Sequence, residues 1–101
     1  MSKYKLNGLT AVVTGASSGI GRAVAEKLIA RYGCTVVGVG RDENKFRDFS
    51  EKLGENVSRF SYRLFDVGNR EEWKEFCTFL TKSGIRPDLL VNCAGILPSF
   101  S

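Results

Sequence analysis

The sequence predicts an α/β fold built on a doubly wound parallel sheet, and three observations lead to it. Short apolar runs rich in β-branched residues alternate with stretches of helical periodicity, in the order β-α-β-α-β-α-β. Glycine follows each helical stretch, at Gly33, Gly54 and Gly84, where a helix commonly ends. The 101 residues are enough for one ordinary domain. Right-handed crossovers then predict four strands in the order 3-2-1-4 with three crossover helices, two on one face and the third on the other.

The four predicted strands are the apolar runs of this alternation, and they cover residues 9–14, 34–40, 57–65 and 88–95. Gly15 ends the first strand and Asp66 ends the third. In a parallel sheet of this kind, ligands bind at the carboxyl ends of the strands, where the strand order reverses. The residues at those ends are therefore the candidates for function.

The predicted helices are amphipathic. The first covers residues 20–32, and its apolar positions recur every fourth residue, at Ile20, Val24 and Leu28. Asp42 is suited to cap the second, whose apolar stripe consists of Phe46, Phe49 and Leu53. Asn69 opens the third, with Glu72 at the spacing of a capping box. The apolar face expected for this third helix consists of Trp73, Phe76, Cys77 and Leu80.

Composition and charge exclude several classes of function. There is no histidine, so the commonest metal ligand and a Ser-His nucleophile are both missing. The three cysteines, Cys34, Cys77 and Cys93, form no C-x-x-C pair, and we expect neither a metal site nor a disulfide framework. Fifteen Lys and Arg are interleaved with eleven Asp and Glu, which argues against a nucleic-acid partner. No membrane span or signal peptide is evident, and we expect a cytoplasmic protein without a membrane partner.

A glycine-rich turn joins the first strand to the first helix. It reads Thr14-Gly15-Ala16-Ser17-Ser18-Gly19-Ile20-Gly21, a G-x-x-x-G-x-G pattern. Glycine lets the turn close tightly and lets a pyrophosphate approach the backbone, while the helix N-terminus offers free N–H groups to the phosphates. A purely structural turn between strand and helix is the alternative.

This turn, together with Asp66-Val67 and Asn92-Cys93-Ala94-Gly95, resembles the amino-terminal half of the classical short-chain dehydrogenase/reductase family, which has a Rossmann-type fold. The resemblance runs through essentially the whole chain. It implies that the cofactor's phosphates and ribose are lined by Gly15, Ser17, Gly19, Ile20 and Gly21. Asp66 and Val67 would meet the adenine. The nicotinamide half would lie beside Asn92, Ala94 and Gly95. The family usually has Asn-Asn-Ala-Gly, so Cys93 departs from the pattern, and we assign it no redox role.

The end of the second strand bears on the choice between NADP(H) and NAD(H). An NAD site has a carboxylate there, about 20 residues after the glycine turn, whereas this sequence has Gly40 followed by Arg41. A guanidinium binds the 2′-phosphate of NADP through paired hydrogen bonds, so Arg41 favours NADP(H). Asp42 could restore some NAD binding, and Ser18, also placed at the cofactor, stands where many NADP-dependent relatives carry a basic residue. The alternative is that Arg41 is an ordinary surface charge.

None of the chain's residues is predicted to be catalytic. The resemblance implies hydride transfer assisted by a serine and a Tyr-x-x-x-Lys helix downstream of the fourth strand. Tyr4, Tyr32 and Tyr62 are not followed by lysine four positions on. The segments that select the family's substrate would also lie beyond residue 101. The fourth strand is expected to be an exposed sheet edge, and the resemblance implies a homo-oligomer in the full-length form.

Three hypotheses follow. The first is that residues 1–101 are a single dinucleotide-binding domain, truncated relative to the family, of an NADP(H)-dependent oxidoreductase acting on a carbonyl or alcohol. The second is a naturally short, non-catalytic module that binds a dinucleotide or a partner. The third, an S-adenosylmethionine-dependent methyltransferase, ranks last because that family has a different glycine turn and lacks Asn-x-Ala-Gly.

Overall fold

The computed structural model describes residues 7–17 and 19–93. Its strands are β1 (Thr10–Thr14), β2 (Thr35–Gly40), β3 (Phe60–Leu64) and β4 (Leu89–Asn92). Its α-helices are α1 (Gly19–Ala30), α2 (Glu43–Leu53) and α3 (Arg70–Lys82), and a 3₁₀ helix covers Gly54–Arg59. The predicted alternation of strands and helices is confirmed over this part of the chain.

The four strands form one parallel sheet in the order β3-β2-β1-β4, as the sequence predicts. In the centre of the sheet, Val12 of β1 is in register with Val37 of β2 and Leu90 of β4. Strand order reverses between β1 and β4, because β2 and β3 lie to one side of β1 and β4 to the other. Because all the pairings are parallel, the carboxyl ends of the four strands share one edge of the sheet.

Each face of the sheet has its own apolar core, since the two central strands are buried on both sides. The core under α1 and α2 includes Ala11, Val13, Ala25, Ile29, Val36, Phe46, Phe49 and Phe60. The core under α3 consists of Val12, Val37, Val39, Phe65, Phe76 and Leu80. Helices α1 and α2 thus cover one face and α3 the other, which is the predicted arrangement.

Two helix caps predicted from the sequence are present. The Asp42 carboxylate accepts from the Lys45 N–H at 3.2 Å, and the Asn69 side chain accepts from the Glu72 N–H at 3.1 Å. The N–H of Asn69 donates to the Asp66 carbonyl at 2.8 Å. That donor is thus already bonded to a carbonyl rather than to the Glu72 carboxylate, and only the first half of the expected capping box forms.

The third strand begins later than predicted. Residues 57–59 belong to the 3₁₀ helix that continues α2 after Gly54, and β3 starts at Phe60, which is in register with Val36 of β2. Val57 is 43% exposed and does not pair with β2. The strand starts where its pairing with β2 starts. The apolar pattern of residues 57–59 does not show where this pairing begins.

The placement of Cys77 on the buried face of α3 is wrong. Phe76 and Leu80 are buried, Trp73 and Phe79 are partly buried, and Cys77 is exposed. Phe79 and Cys77 flank the buried stripe on opposite sides. The helix turns its Phe79 edge toward the sheet, where the large ring covers more apolar surface than a thiol would.

Strand β4 is an edge of the sheet in the described structure, as expected. Leu90, in the middle of this strand, is 66% exposed on the face that α3 covers elsewhere. None of the described helices has the length and apolar character needed to cross a membrane.

Candidate functional site

The carboxyl ends of β1, β2 and β3 open into a cleft of about 340 Å³. Its walls are formed by Gly15, Ser17, Val39, Gly40, Arg41, Asp42, Phe65, Asp66 and Val67. Five of these residues were predicted site residues: Gly15, Ser17, Arg41, Asp66 and Val67. They lie on three different strand-to-helix connections, and the sheet topology brings them together.

The glycine turn forms the first wall. Gly15 has φ 68°, a conformation that favours glycine, and its N–H donates to the Val39 carbonyl at 2.8 Å, which fixes the turn to β2. Gly21, in the first turn of α1, packs so closely that a Cβ there would overlap the Gly15 carbonyl oxygen. The backbone at the start of α1 therefore lies directly against the turn.

Three predicted residues, Gly19, Ile20 and Gly21, form the amino-terminal end of α1. This end carries no acidic residue in its first turn, whereas α2 begins with Glu43 and α3 with Glu71 and Glu72. The partial positive charge of the α1 N-terminus is therefore not offset by a local carboxylate. Ile20 is 77% exposed beside it. The predicted residue Ser18 lies outside the described residues.

Gly40 and Arg41 form the second wall, at the end of β2. A Cβ on Gly40 would come within 3.1 Å of the Phe46 ring and 3.3 Å of the Ser17 hydroxyl oxygen, so a side chain would crowd both. The Arg41 side chain is 77% exposed, and its Nη1 lies 3.8 Å from Oδ2 of Asp66 on the opposite wall. This ion pair spans the mouth of the cleft.

Asp66 and Val67 form the third wall, and local hydrogen bonds hold both in place. Oδ1 of Asp66 accepts from the Gly68 N–H at 2.9 Å, and the Val67 carbonyl accepts from the Trp73 indole N–H at 2.6 Å. The Phe65 N–H donates to the Gly40 carbonyl at 2.8 Å, which extends the pairing of β3 with β2 beyond the strand. The connection after β3 is thus tied to α3 as well as to the sheet.

The side chain of Asn92, the last residue of β4, accepts a hydrogen bond from β1. The hydroxyl of Thr14, only 2% exposed, lies 2.7 Å from Oδ1 of Asn92 and donates to it. The same hydroxyl oxygen accepts from the Cys93 N–H at 3.0 Å. Thr14 therefore couples the ends of β1 and β4, where the strand order reverses. The predicted residues Ala94 and Gly95 lie outside the described residues.

Sequence reasoning did not assign site roles to several of these residues. Thr14 was named only as the first residue of the glycine turn. Its position at the end of a buried strand could have indicated a hydrogen bond, because a buried polar side chain needs a partner. Trp73 was predicted only as core, yet its indole N–H needs an acceptor when partly buried. Phe65 and Val39 also line the cleft. Their apolar side chains do not show in the sequence whether they line a cleft or belong only to the core.

Comparison with protein families and curated proteins gives consistent matches. The family described as short chain dehydrogenase matches residues 9–101. The 3-oxoacyl-(acyl-carrier-protein) reductase of Vibrio harveyi is 44% identical over 91 residues, which cover 90% of this chain and 36% of that protein. An oxidoreductase of Staphylococcus saprophyticus without an assigned activity is 38% identical over 96 residues, covering 94% of this chain and 41% of its own length.

Among solved structures, a short chain dehydrogenase from Shigella flexneri 2a str. 301 in complex with NADP superimposes with a TM-score of 0.78 at 32% identity. The match covers 94% of this chain and 41% of that one. The chain therefore spans 36–41% of the length of these three relatives.

Proposed function

Because the chain belongs to the short-chain dehydrogenase/reductase family, we propose that it is the NADP(H)-binding portion of an oxidoreductase. The complete protein would transfer hydride between a nicotinamide cofactor and a carbonyl or alcohol. In this proposal residues 1–101 act as one dinucleotide-binding domain, and the cofactor lies across the carboxyl ends of the strands.

The shape of the cleft fits such a cofactor. The missing side chains of Gly15 and Gly21 let the turn and the helix N-terminus lie together, so that backbone N–H groups can face a pyrophosphate. No carboxylate occupies the first turn of α1, and a phosphate there would complement the helix dipole. Asp66 offers a carboxylate to the adenine amino group from the third wall.

One observation carries the preference for NADP(H): Arg41 lies at the mouth of the cleft, directly after Gly40, where an NAD site would have a carboxylate. The guanidinium is accessible, and its donors match the oxygens of a 2′-phosphate. When bound, the nicotinamide ring supplies or accepts the hydride. The described residues of this chain bind and orient the cofactor, and Thr14 and Asn92 support the strand ends beneath its nicotinamide half.

The test is a comparison of NADPH and NADH binding by the full-length protein and its Arg41→Gln variant. We expect NADPH affinity to fall about tenfold, since a hydrogen bond to a charged group contributes about 1.5–3 kcal/mol and exposure reduces this. NADH affinity should change little. Arg86→Gln, which removes an exposed charge away from the cleft, is the matched control. Equal loss of both cofactors in Arg41→Gln would argue against a 2′-phosphate contact.

The same samples distinguish an enzyme from the alternative, a non-catalytic dinucleotide- or partner-binding module. Consumption of NADPH with a carbonyl substrate supports the oxidoreductase, and binding without turnover by the natural-length protein supports the module. The cytoplasmic location expected from the sequence and the homo-oligomer that the family resemblance implies for the full-length form stay predictions. They call for cell fractionation and for light scattering of the purified protein.

A further inference from the structure

We propose that Asp66 is a specificity-determining residue, which holds Arg41 across the cleft and thereby restrains the preference for a 2′-phosphorylated nucleotide. The inference rests on the proposed function, because it concerns the same cleft. It goes beyond it by assigning Asp66 a second role besides any contact with adenine. Arg41 is then shared between a carboxylate of the protein and a phosphate of the ligand.

The geometry makes Asp66 the fixed member of the pair. Its Oδ1 is held by the Gly68 N–H at 2.9 Å, and the following carbonyl, of Val67, is held by the Trp73 indole at 2.6 Å. These contacts leave Oδ2 directed toward Nη1 of Arg41, at 3.8 Å. Arg41 is the adaptable member, since its long side chain is 77% exposed and follows the last residue of β2.

Competition follows from the charges. A nucleotide with a free 2′-hydroxyl leaves the Arg41–Asp66 pair intact. A 2′-phosphate recruits the same guanidinium and draws it away from the Asp66 carboxylate. Part of the phosphate's binding energy is therefore offset by the loss of the existing pair. Removal of the Asp66 charge should release Arg41 and increase the preference for the phosphorylated ligand.

The experiment measures dissociation constants for adenosine 5′-monophosphate and adenosine 2′,5′-bisphosphate, two ligands that differ only in the 2′-phosphate. Isothermal titration of the full-length protein gives the ratio of the two constants for the wild type, Asp66→Asn, Arg41→Gln and the double variant. Asparagine keeps an oxygen that can accept from the Gly68 N–H, so the turn after β3 is retained. The ratio cancels any loss of adenine contact common to both ligands.

We expect Asp66→Asn to raise the preference for the bisphosphate about two- to fivefold, the range expected for an exposed ion pair. In the Arg41→Gln background the same substitution should change the ratio less than about 1.5-fold, because there is no guanidinium to release. Glu51→Gln is the matched control: it removes an exposed carboxylate of α2 that does not line the cleft. Its effect on the ratio should also stay below about 1.5-fold.

Three results would overturn the inference: an unchanged ratio in Asp66→Asn, an equal increase in the Arg41→Gln background, or an equal increase in Glu51→Gln. The last two would indicate a general field effect of a lost carboxylate. If Asp66→Asn does not fold, Asp66→Ser keeps an acceptor for the turn and repeats the test. Failure of the wild type to bind either nucleotide would instead refute the proposed function, which is a distinct outcome.

Discussion

Gly21 shows at the scale of one residue how the glycine turn depends on a missing side chain. We predict that Gly21→Ala lowers the free energy of unfolding by about 1–3 kcal/mol, the usual effect of overpacking. Nucleotide affinity should fall as well, because the methyl group would displace the Gly15 carbonyl and with it the turn. Urea denaturation and titration with adenosine 5′-monophosphate measure the two effects.

Gly84→Ala is the matched control for this prediction. Gly84 has φ 72°, and its surroundings among the described residues leave open space where a methyl group would stand, so alanine there adds backbone strain without a clash. The free energy of unfolding should fall by about 1–2 kcal/mol while nucleotide affinity stays unchanged. If Gly21→Ala behaved in the same way, the close packing of turn and helix would have no part in binding.

Two of the cysteines, Cys34 and Cys77, differ in burial. Cys34 is fully buried, and burial, with a smaller contribution from the negative charge of Asp88, raises the pKa of its thiol. Cys77 is exposed on α3. We predict that N-ethylmaleimide modifies Cys77 in the folded protein well before Cys34, as peptide mass mapping would show. Modification of Cys34 at the rate of Cys77 would contradict the burial of that thiol.

The raised pKa of Cys34 also has a consequence for stability. A thiol whose pKa is higher in the folded state stabilises the fold below its ordinary value of about 9.0, and this contribution disappears as pH rises through the higher folded value. The free energy of unfolding should therefore decline in alkaline solution. The decline should be smaller in Cys34→Ala, which cannot ionise there.

At the scale of elements, an ion-pair cluster ties α1 to α2. Nη2 of Arg22 lies 3.0 Å from Oδ2 of Asp48, Nζ of Lys52 lies 3.3 Å from the same oxygen, and the Arg22 guanidinium stands over the Phe49 ring at 5.1 Å. Hydrogen bonds from Arg22 and then Lys52 lower the pKa of Asp48. The cluster connects the helix of the glycine turn with the helix that follows Arg41.

We predict that Asp48→Asn lowers the melting temperature at neutral pH and that the difference from the wild type vanishes in acid. The sign follows from the lowered pKa of Asp48. Its stabilising contribution is present above the ordinary value of 3.8 and is lost as pH falls through the lower folded value. Scanning calorimetry across this range is the measurement, with Glu51→Gln on the same helix as the control. A difference that persisted unchanged in acid would show that charge is not its origin.

The contact between Trp73 and Val67 joins α3 to the third wall of the cleft. Trp73→Phe should keep the aromatic packing against Phe65, whose ring lies 5.3 Å away, but lose the hydrogen bond to the Val67 carbonyl. We predict a loss of about 1 kcal/mol in the free energy of unfolding and a severalfold weaker affinity for adenosine 5′-monophosphate. Phe79→Leu, on the same helix, should alter stability alone. Unchanged nucleotide binding in Trp73→Phe would show that this hydrogen bond does not contribute to nucleotide affinity.

These elements also show what the sequence could predict. The caps at Asp42 and Asn69 were predictable because each bond joins residues three apart. The start of β3 at Phe60 was not, since pairing with β2 decides it. The bond between Thr14 and Asn92 joins residues 78 apart, and the Arg41–Asp66 pair depends on side-chain directions at two strand ends. Periodicity predicts which strands come together, but it carries no information on those directions.

For the whole molecule, the parallel order of the strands is what turns scattered motifs into one site. The glycine turn, Arg41 and Asp66 follow β1, β2 and β3, and Asn92 is the last residue of β4. The carboxyl ends lie at one edge because the four strands are parallel, and the order β3-β2-β1-β4 decides which of these ends are neighbours. The two apolar cores then hold α1 and α3 against opposite faces, so that both the start of α1 and the loop before α3 meet the cleft. The sheet topology therefore assembles the cleft. A substitution in one element changes the cleft by shifting the wall that this element supports.

The extent of the protein in its native cell is the last prediction. The matched part of the two curated relatives described above is 36–41% of their length, and we expect the native protein to have an intact mass of more than twice 11.1 kDa. The additional chain would supply the tyrosine and lysine that the family resemblance implies for hydride transfer. Mass spectrometry of the protein isolated from its own cell is the measurement. A mass near 11.1 kDa would limit this chain to cofactor binding, unless a second chain supplied the tyrosine and the lysine. The hypothesis of a non-catalytic binding module would then be favoured over that of an oxidoreductase.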